Sequence, residues 1–177
     1  MWKKISSRIV FNHPRMKLAE DSVELPDGTV VPYLRDADTN RHSVTLVCID
    51  GDKVLVQKEY SYPPNQVLYQ FPGGKVEQPE KIIAAGKREL IEESGLSPRH
   101  LQELGWYYVD NRRSNAKMHV LLAKNFAKRE KRGGDAEEDI KSEWVTIADL
   151  EKMISDGEIV NYSMLAAWTM FRPNMDT

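Results

Sequence analysis

The stretch from Pro79 to Gly95 constrains this chain more than any other, because it carries both end signals of a helix and a heavy load of acid on one side. Proline suits a first helical position, Glu80 would lie in the electropositive first turn, and glycine suits the left-handed residue that stops a helix. Within the span, Glu89, Glu92 and Glu93 stand at i, i+3 and i+4. At about 100° per residue they fall within roughly a 100° arc of one face. Ile83, Gly86 and Leu90 form the neighbouring stripe, so the helix is expected to bury one side on a sheet and hold its acidic side at a cleft.

Like charges at these spacings cost about 0.2–0.5 kcal/mol per pair on an exposed helix and more when partly buried. A bound cation reverses that cost. Carboxylates without His or Cys supply only hard oxygen donors, which suit Mg²⁺ or Mn²⁺ far better than zinc or copper. Such an ion bridges phosphate oxygens and makes a bound water a better nucleophile, so metal-assisted phosphoanhydride hydrolysis follows from the residue types. Arg88 can pair with Glu92 at i+4 or reach a neighbouring carboxylate and fix its rotamer.

The remaining pattern supplies the sheet. Strands are expected around Ile5 to Phe11, Met16 to Leu25 and Val30 to Leu34, with Pro26-Asp27-Gly28-Thr29 as a turn between the last two. These three are short and amphipathic, so they must pack on the main body or pair with a second copy of the chain. Val44 to Ile49 and Lys53 to Tyr60 flank a Gly51-Asp52 turn and read as a hairpin; Leu68 to Phe71, Trp106 to Val109, His119 to Ala123 and Glu143 to Val145 read as further strands. Lys124 to Asp139 reads as a loop, and helical patterns run from Ile147 to Ser155 and from Ser163 to Phe171. Strands mixed with helices and no repeat indicate an α/β or α+β domain.

Composition narrows the partners. A net charge of -2 lacks the basic excess that a nucleic-acid backbone demands, so nucleic acid is not an expected partner. No stretch approaches the ~18 apolar residues of a membrane span and no signal peptide opens the chain, which makes the cytoplasm the expected location. The single cysteine, Cys48, lies in an apolar run and reads as a core residue of a reducing compartment. His42 and His119, at strand-like positions with no paired nucleophile, read as structural.

The acidic helix belongs to a longer string. Gly74, five residues, Glu80, seven residues and then Arg88-Glu89-Leu90-Ile91-Glu92-Glu93-Ser94-Gly95-Leu96 resembles the Nudix box at every specified position. Seven fixed residues at about 0.07 each and two apolar positions at roughly 0.3 give a chance match on the order of 10⁻⁹ per starting point. The resemblance implies a mixed sheet sandwiched between helices, with Glu89, Glu92 and Glu93 as metal carboxylates and the Gly73 carbonyl as a further ligand.

Outside the box, the leading strands, the Tyr60-Ser61-Tyr62-Pro63 run, Phe71-Pro72-Gly73-Gly74-Lys75 and the tail from Trp144 to Ala167 are similar to the ADP-sugar pyrophosphatase branch of that family. That likeness implies a Mg²⁺-dependent hydrolysis, with Mn²⁺ as a substitute. The substrate would be ADP-ribose or another nucleotide sugar, cleaved to a nucleoside monophosphate and a sugar phosphate. It also implies a homodimer joined through residues 1–38, with residues 39–177 as the hydrolase domain. Glu138 in the acidic run Asp135 to Asp139 would be the catalytic base, acting with Glu89, Glu92 and Arg88; Gly133-Gly134 would let that loop close. Arg41, Tyr62, Arg112 and Ser114 are the candidates for holding nucleotide or phosphate. Other readings are a nucleoside triphosphate, dinucleoside polyphosphate or CDP-alcohol substrate, or a non-catalytic nucleotide-sensing module.

Overall fold

Alternating apolar residues and well-placed turns organise the chain into two units. The structure is a computed structural model that describes residues 1–129 and 140–174; the acidic run 135–139 with Glu138, and Gly133-Gly134, lie outside them. One unit comprises Met1–Arg41 with Tyr108–Lys117, the other His42–Tyr107 with Met118–Thr177.

In the first unit, β1 (Lys3–His13), β2 (Met16–Glu24) and β3 (Val30–Asp36) form an antiparallel sheet in that order. The β2–β3 connection uses the expected turn, with Gly28 at φ 85° and the Asp27 carboxylate accepting from the Thr29 N–H at 3.0 Å. Asp21 is the buried polar anchor of this sheet. It accepts from Ser7 Oγ at 2.6 Å and from Arg35 Nε at 2.7 Å, and the Arg35 guanidinium holds its carboxyl below the usual range. Every residue of β1 is exposed, including Ile5, Ile9 and Phe11.

The second unit is built on a seven-stranded sheet. Its main path runs β10 (Lys141–Thr146), β5 (Lys53–Ser61), β4 (His42–Asp50), β9 (Lys117–Lys128), β8 (Leu96–Tyr108). Two short strands fork from it: β6 (Gln66–Gln70) pairs with β5, and β7 (Gly73–Lys75) pairs with the start of β4. Helix α1 (Ile82–Ser94) covers one face, where Leu46, Cys48, Leu55, Leu121 and Leu90 share a core. Helices α2 (Ile147–Ser155) and α3 (Tyr162–Phe171) cover the other, where Leu150, Met164, Trp168 and Phe171 pack on Val47, Val54, Val56 and Val120. The sheet is thus sandwiched between helices, as expected. Thr146 caps α2 through the Asp149 N–H, and Asn161 caps α3 through the Ser163 and Met164 N–H groups.

Several boundaries differ from the sequence reading, each for a local reason. Helix α1 starts at Ile82 rather than Pro79, because residues 77–80 close a turn in which Glu80 N–H donates to the Glu77 carbonyl. Ile83 is 41 % exposed; the helix is rotated so that Ile82, Ala85, Gly86 and Leu90 face the core. Gly86 fits there because a methyl group would stand 2.3 Å from Leu121 Cδ1. Strand β8 begins ten residues before the expected Trp106, its polar and proline-containing start tolerated because β8 lies at the end of the strand order. Lys124 to Lys128 continue β9 instead of opening a loop, with Phe126 edge-on to Trp144. Residues 73–75 form a short strand that the sequence reading did not assign.

Candidate active site

Strand β7 and helix α1 meet because their contact residues are glycines. A methyl group on Gly73 would lie 2.1 Å from the Val44 carbonyl oxygen, and one on Gly74 would lie 2.4 Å from Glu89 Oε1. The absence of both side chains lets β7 pair with β4 (Thr45 opposite Gly73, Val44 opposite Gly74) while the acidic side of α1 rests on it. The helix then stops at Gly95, φ 68°, whose N–H donates to the Ile91 carbonyl at 3.0 Å.

Arg88 organises the acids. A guanidinium has five N–H donors, and here all five are used. Nε and Nη2 grip the Glu80 carboxylate at 3.2 and 2.7 Å, the second Nη2 hydrogen reaches the Lys75 carbonyl at 2.9 Å, and Nη1 serves Glu89 at 2.9 Å and Glu92 at 3.0 Å. Glu80 therefore binds Arg88 and not the helix N-terminus, since a two-pronged guanidinium contact outweighs a dipole that acts only over the first turn. Those hydrogen bonds hold the Glu80 carboxyl below its ordinary range, and they raise Arg88 above its own.

Glu93 is held separately. Its side chain is nearly buried, and Oε2 accepts from the Gly73 N–H at 3.1 Å and from Gln57 Nε2 at 3.1 Å. Burial, with the Glu93 charge adding to it, pushes the Cys48 thiol far up, so that cysteine is an inert core residue. Gln57 was not singled out by the sequence; the only hint was an amide directly after Val54-Leu55-Val56, at a position that alternation points inward. Among the described residues no group of three or more His, Cys, Asp or Glu is arranged as a closed metal shell. Glu89 and Glu92 are turned onto one Arg88 nitrogen and Glu93 onto Gly73. The donor set is nonetheless all hard oxygen, the kind that takes Mg²⁺ or Mn²⁺. Beside it lies a buried acceptor with no hydrogen-bond partner among the described residues, Gln57 Oε1.

A cavity of about 360 Å³ opens along the same glycine pair. Thr45, Phe71 and Met118 line it with Asn161, Tyr162 and Met164 from the start of α3. Tyr62, in the same unit, is 82 % exposed. The remaining substrate candidates fall in the first unit. Arg112 and Ser114 line a cavity of about 370 Å³ there with Lys4, Tyr33 and Arg35. The Arg112 carbonyl accepts from the Tyr33 hydroxyl, and Ser114 Oγ accepts from the Ala116 N–H at 3.0 Å. Arg41 is paired with Asp36. His42 and His119 form a hydrogen-bonded chain at 2.8 Å that ends on Glu103 at 2.6 Å, a structural arrangement inside the second unit.

The NUDIX domain family matches residues 39–167, which takes in both glycines, Arg88 and all three helix glutamates. The chain belongs to the Nudix family. The nucleoside diphosphate sugar hydrolase N-terminal domain family matches residues 2–33. The ADP-ribose pyrophosphatase of Bacillus subtilis (strain 168) is 26% identical over 159 residues, covering 89% of this chain and 85% of that protein. The methanol dehydrogenase activator of Bacillus methanolicus is 26% identical over 133 residues, 75% of this chain and 71% of its own. A crystal structure of an ADP compounds hydrolase superposes with a TM-score of 0.92 at 20% identity, covering 99% of this chain and 94% of that one. That likeness is one of fold. This Nudix chain is accordingly a hydrolase related to ADP-ribose pyrophosphatase. No helix among its described residues is long and apolar enough to cross a membrane.

Proposed function

We propose that this Nudix hydrolase cleaves the pyrophosphate bond of a nucleoside diphosphate linked to a sugar, ADP-ribose or a close analogue, giving a nucleoside monophosphate and a sugar phosphate. The observation that carries the proposal is the seating of Glu89 and Glu93 on the adjacent glycines of β7, the same two glycines that line a cavity. The match of residues 2–33 to a nucleoside diphosphate sugar hydrolase domain, and the name of the Bacillus subtilis relative, support the substrate class.

In this reading Mg²⁺, or Mn²⁺ in its place, is held by Glu89, Glu92, Glu93 and the Gly73 carbonyl. When bound, the ion supplies charge to receive the diphosphate oxygens and acidifies the attacking water. Arg88 orients Glu89 and Glu92, and Gln57 with the Gly73 N–H orients Glu93. Glu138 is proposed as the base that takes the proton of that water, on its position in the sequence. Arg41, Tyr62, Arg112 and Ser114 are proposed to hold nucleotide or phosphate. Residues 1–38 are proposed as a dimerisation segment ahead of the hydrolase domain, because the exposed apolar residues of β1 present an edge suited to a second copy. The reducing cytoplasm suits the unpaired Cys48.

A panel of nucleotide substrates incubated with Mg²⁺ and with chelator, the products identified by mass, tests the activity. AMP plus sugar phosphate supports the proposal, whereas release of pyrophosphate from a nucleoside triphosphate, or no metal-dependent product, contradicts it. Glu93→Gln should lower turnover by orders of magnitude with the fold intact. Light scattering at micromolar concentration should give twice the chain mass.

A further inference from the structure

Strand β5 contributes Val54, Leu55 and Val56 to the core, and the next residue, Gln57, is as completely buried as they are. Leu55 and Gln57 share a face of the strand, so packing alone would be served by a second aliphatic residue. An amide there needs partners. Both of its N–H groups have them, Glu93 Oε2 at 3.1 Å and Ser142 Oγ at 3.3 Å, while its carbonyl oxygen has none among the described residues. Turning the amide over would set that oxygen against the Glu93 carboxylate, so the chemistry of the pair fixes its orientation. The chain leaves a buried acceptor unsatisfied in order to keep an N–H on Glu93. A local rule broken in this way marks a functional demand.

We propose that Gln57 is a positioning residue for divalent-metal binding, acting through Glu93. The proposal rests on the reading that Glu93 is a metal carboxylate. Two N–H groups, from Gly73 on β7 and from Gln57 on β5, clamp one oxygen of Glu93 and thereby fix the plane in which the carboxylate meets an ion. The backbone donor alone fixes one direction; the amide fixes the second. Partners of ligating carboxylates in metal sites act in this way, and their loss commonly weakens metal affinity or activity 10- to 100-fold.

The test titrates the metal-free protein with Mn²⁺ and counts the free ion by electron paramagnetic resonance, for the wild type, Gln57→Leu, Gln57→Met and Ser142→Ala. The Leu and Met variants should bind Mn²⁺ about 10- to 100-fold more weakly. They should also melt no lower than wild type in chelator, since the orphaned acceptor is gone. The Mn²⁺ concentration for half-maximal turnover should rise by the same factor, with substrate KM at saturating metal changed by less than about threefold. Ser142→Ala removes the other partner of the same amide and keeps the amide's bond to Glu93, so it should leave Mn²⁺ affinity within about twofold. Wild-type affinity in either folded apolar variant overturns the assignment. So does an equal loss in Ser142→Ala, or failure of both apolar variants to fold, since each makes Gln57 a packing residue. A wild-type protein that binds no Mn²⁺ overturns the metal reading itself, and this proposal with it.

Discussion

Gly74→Ala offers the sharpest separation of chemistry from folding. The backbone at Gly74 is outside the left-handed region, so alanine meets no conformational penalty there, and the entire effect comes from the added methyl group. That group would lie 2.4 Å from Glu89 Oε1, 2.5 Å from Cδ and 2.7 Å from Oε2, whereas ordinary contact begins at 3.4 Å. The carboxylate must withdraw by about 1 Å, and its 2.9 Å hydrogen bond from Arg88 Nη1 goes with it. A displacement of that size at a catalytic group costs on the order of 100-fold, or about 2.7 kcal/mol of barrier. Because only the end of a flexible side chain moves and one hydrogen bond of about 1 kcal/mol is lost, the melting temperature should fall by no more than about 4 °C. Gly73→Ala is the contrasting case: its methyl group would meet the Val44 carbonyl at 2.1 Å, which is backbone, so the β4–β7 pairing must open. A loss of about 3 kcal/mol, roughly 6–12 °C, is expected. The assay is kcat/KM on the best nucleotide sugar at saturating Mg²⁺ alongside a thermal melt. Gly74→Ala with kcat/KM within threefold of wild type would refute the placement of Glu89 at the reacting centre.

Three further substitutions test the framework. Arg88→Lys keeps one charge but offers three donors for five acceptor contacts, so about 2 kcal/mol should be lost in urea unfolding, discounted for partial exposure; a loss below about 0.5 kcal/mol would contradict the network. Gly86→Ala crowds Leu121 at 2.3 Å, and overpacking of 1–3 kcal/mol less the ~1 kcal/mol helix preference for alanine leaves about 1 kcal/mol of destabilisation; a higher urea midpoint would show that Leu121 can turn away. Asp21→Asn removes a nearly buried partner of Arg35 and Ser7 and should cost about 3 kcal/mol at pH 7. Since the folded carboxyl is held below its unfolded value, the stability it adds is fully present above about pH 5 and vanishes as pH falls through the lowered value. Unfolding curves of wild type and variant should therefore converge in acid; a constant gap down to pH 2 would be the wrong sign.

The acidic face, its glycine stop and the strand patterns were legible because each depends on residues within a turn or a few positions of one another. Glu89, Glu92 and Glu93 lie on one side of α1 by spacing alone, and Arg88 reaches two of them as i+1 and i+4 neighbours. What was not legible depends on contacts distant in sequence. Glu80 reads as a helix-dipole residue until the fold brings Arg88 back onto it. Gln57 reads as one polar residue in an apolar strand until α1 sets Glu93 above it, 36 positions away. The strand at Gly73–Lys75 went unassigned because nothing local reveals that β4 lies alongside. The long, half-polar β8 was shortened because an edge strand does not need the continuous apolar run that marks a central one.

Arg88 also decides what the site must receive from outside. All five of its donors are engaged by Glu80, Glu89, Glu92 and the Lys75 carbonyl, so it has none left for a phosphate oxygen. One positive charge against those three carboxylates, with Glu93 beside them, leaves a negative site, which on the proposed function would face a negative diphosphate. Two like unit charges 4 Å apart repel by about 4 kcal/mol at an effective dielectric of 20, so the proposed function predicts that a cation brings the substrate in. Chelation should therefore weaken substrate binding itself by at least ~100-fold, and not turnover alone, given that 2.7 kcal/mol already corresponds to that factor. Calorimetric titration of the wild-type protein against a methylene-bridged, non-hydrolysable nucleotide-sugar analogue with Mg²⁺ and with chelator measures this directly. Equal affinity in the two conditions would mean that the diphosphate is received by protein cations, and the carboxylates would then have to be assigned another task.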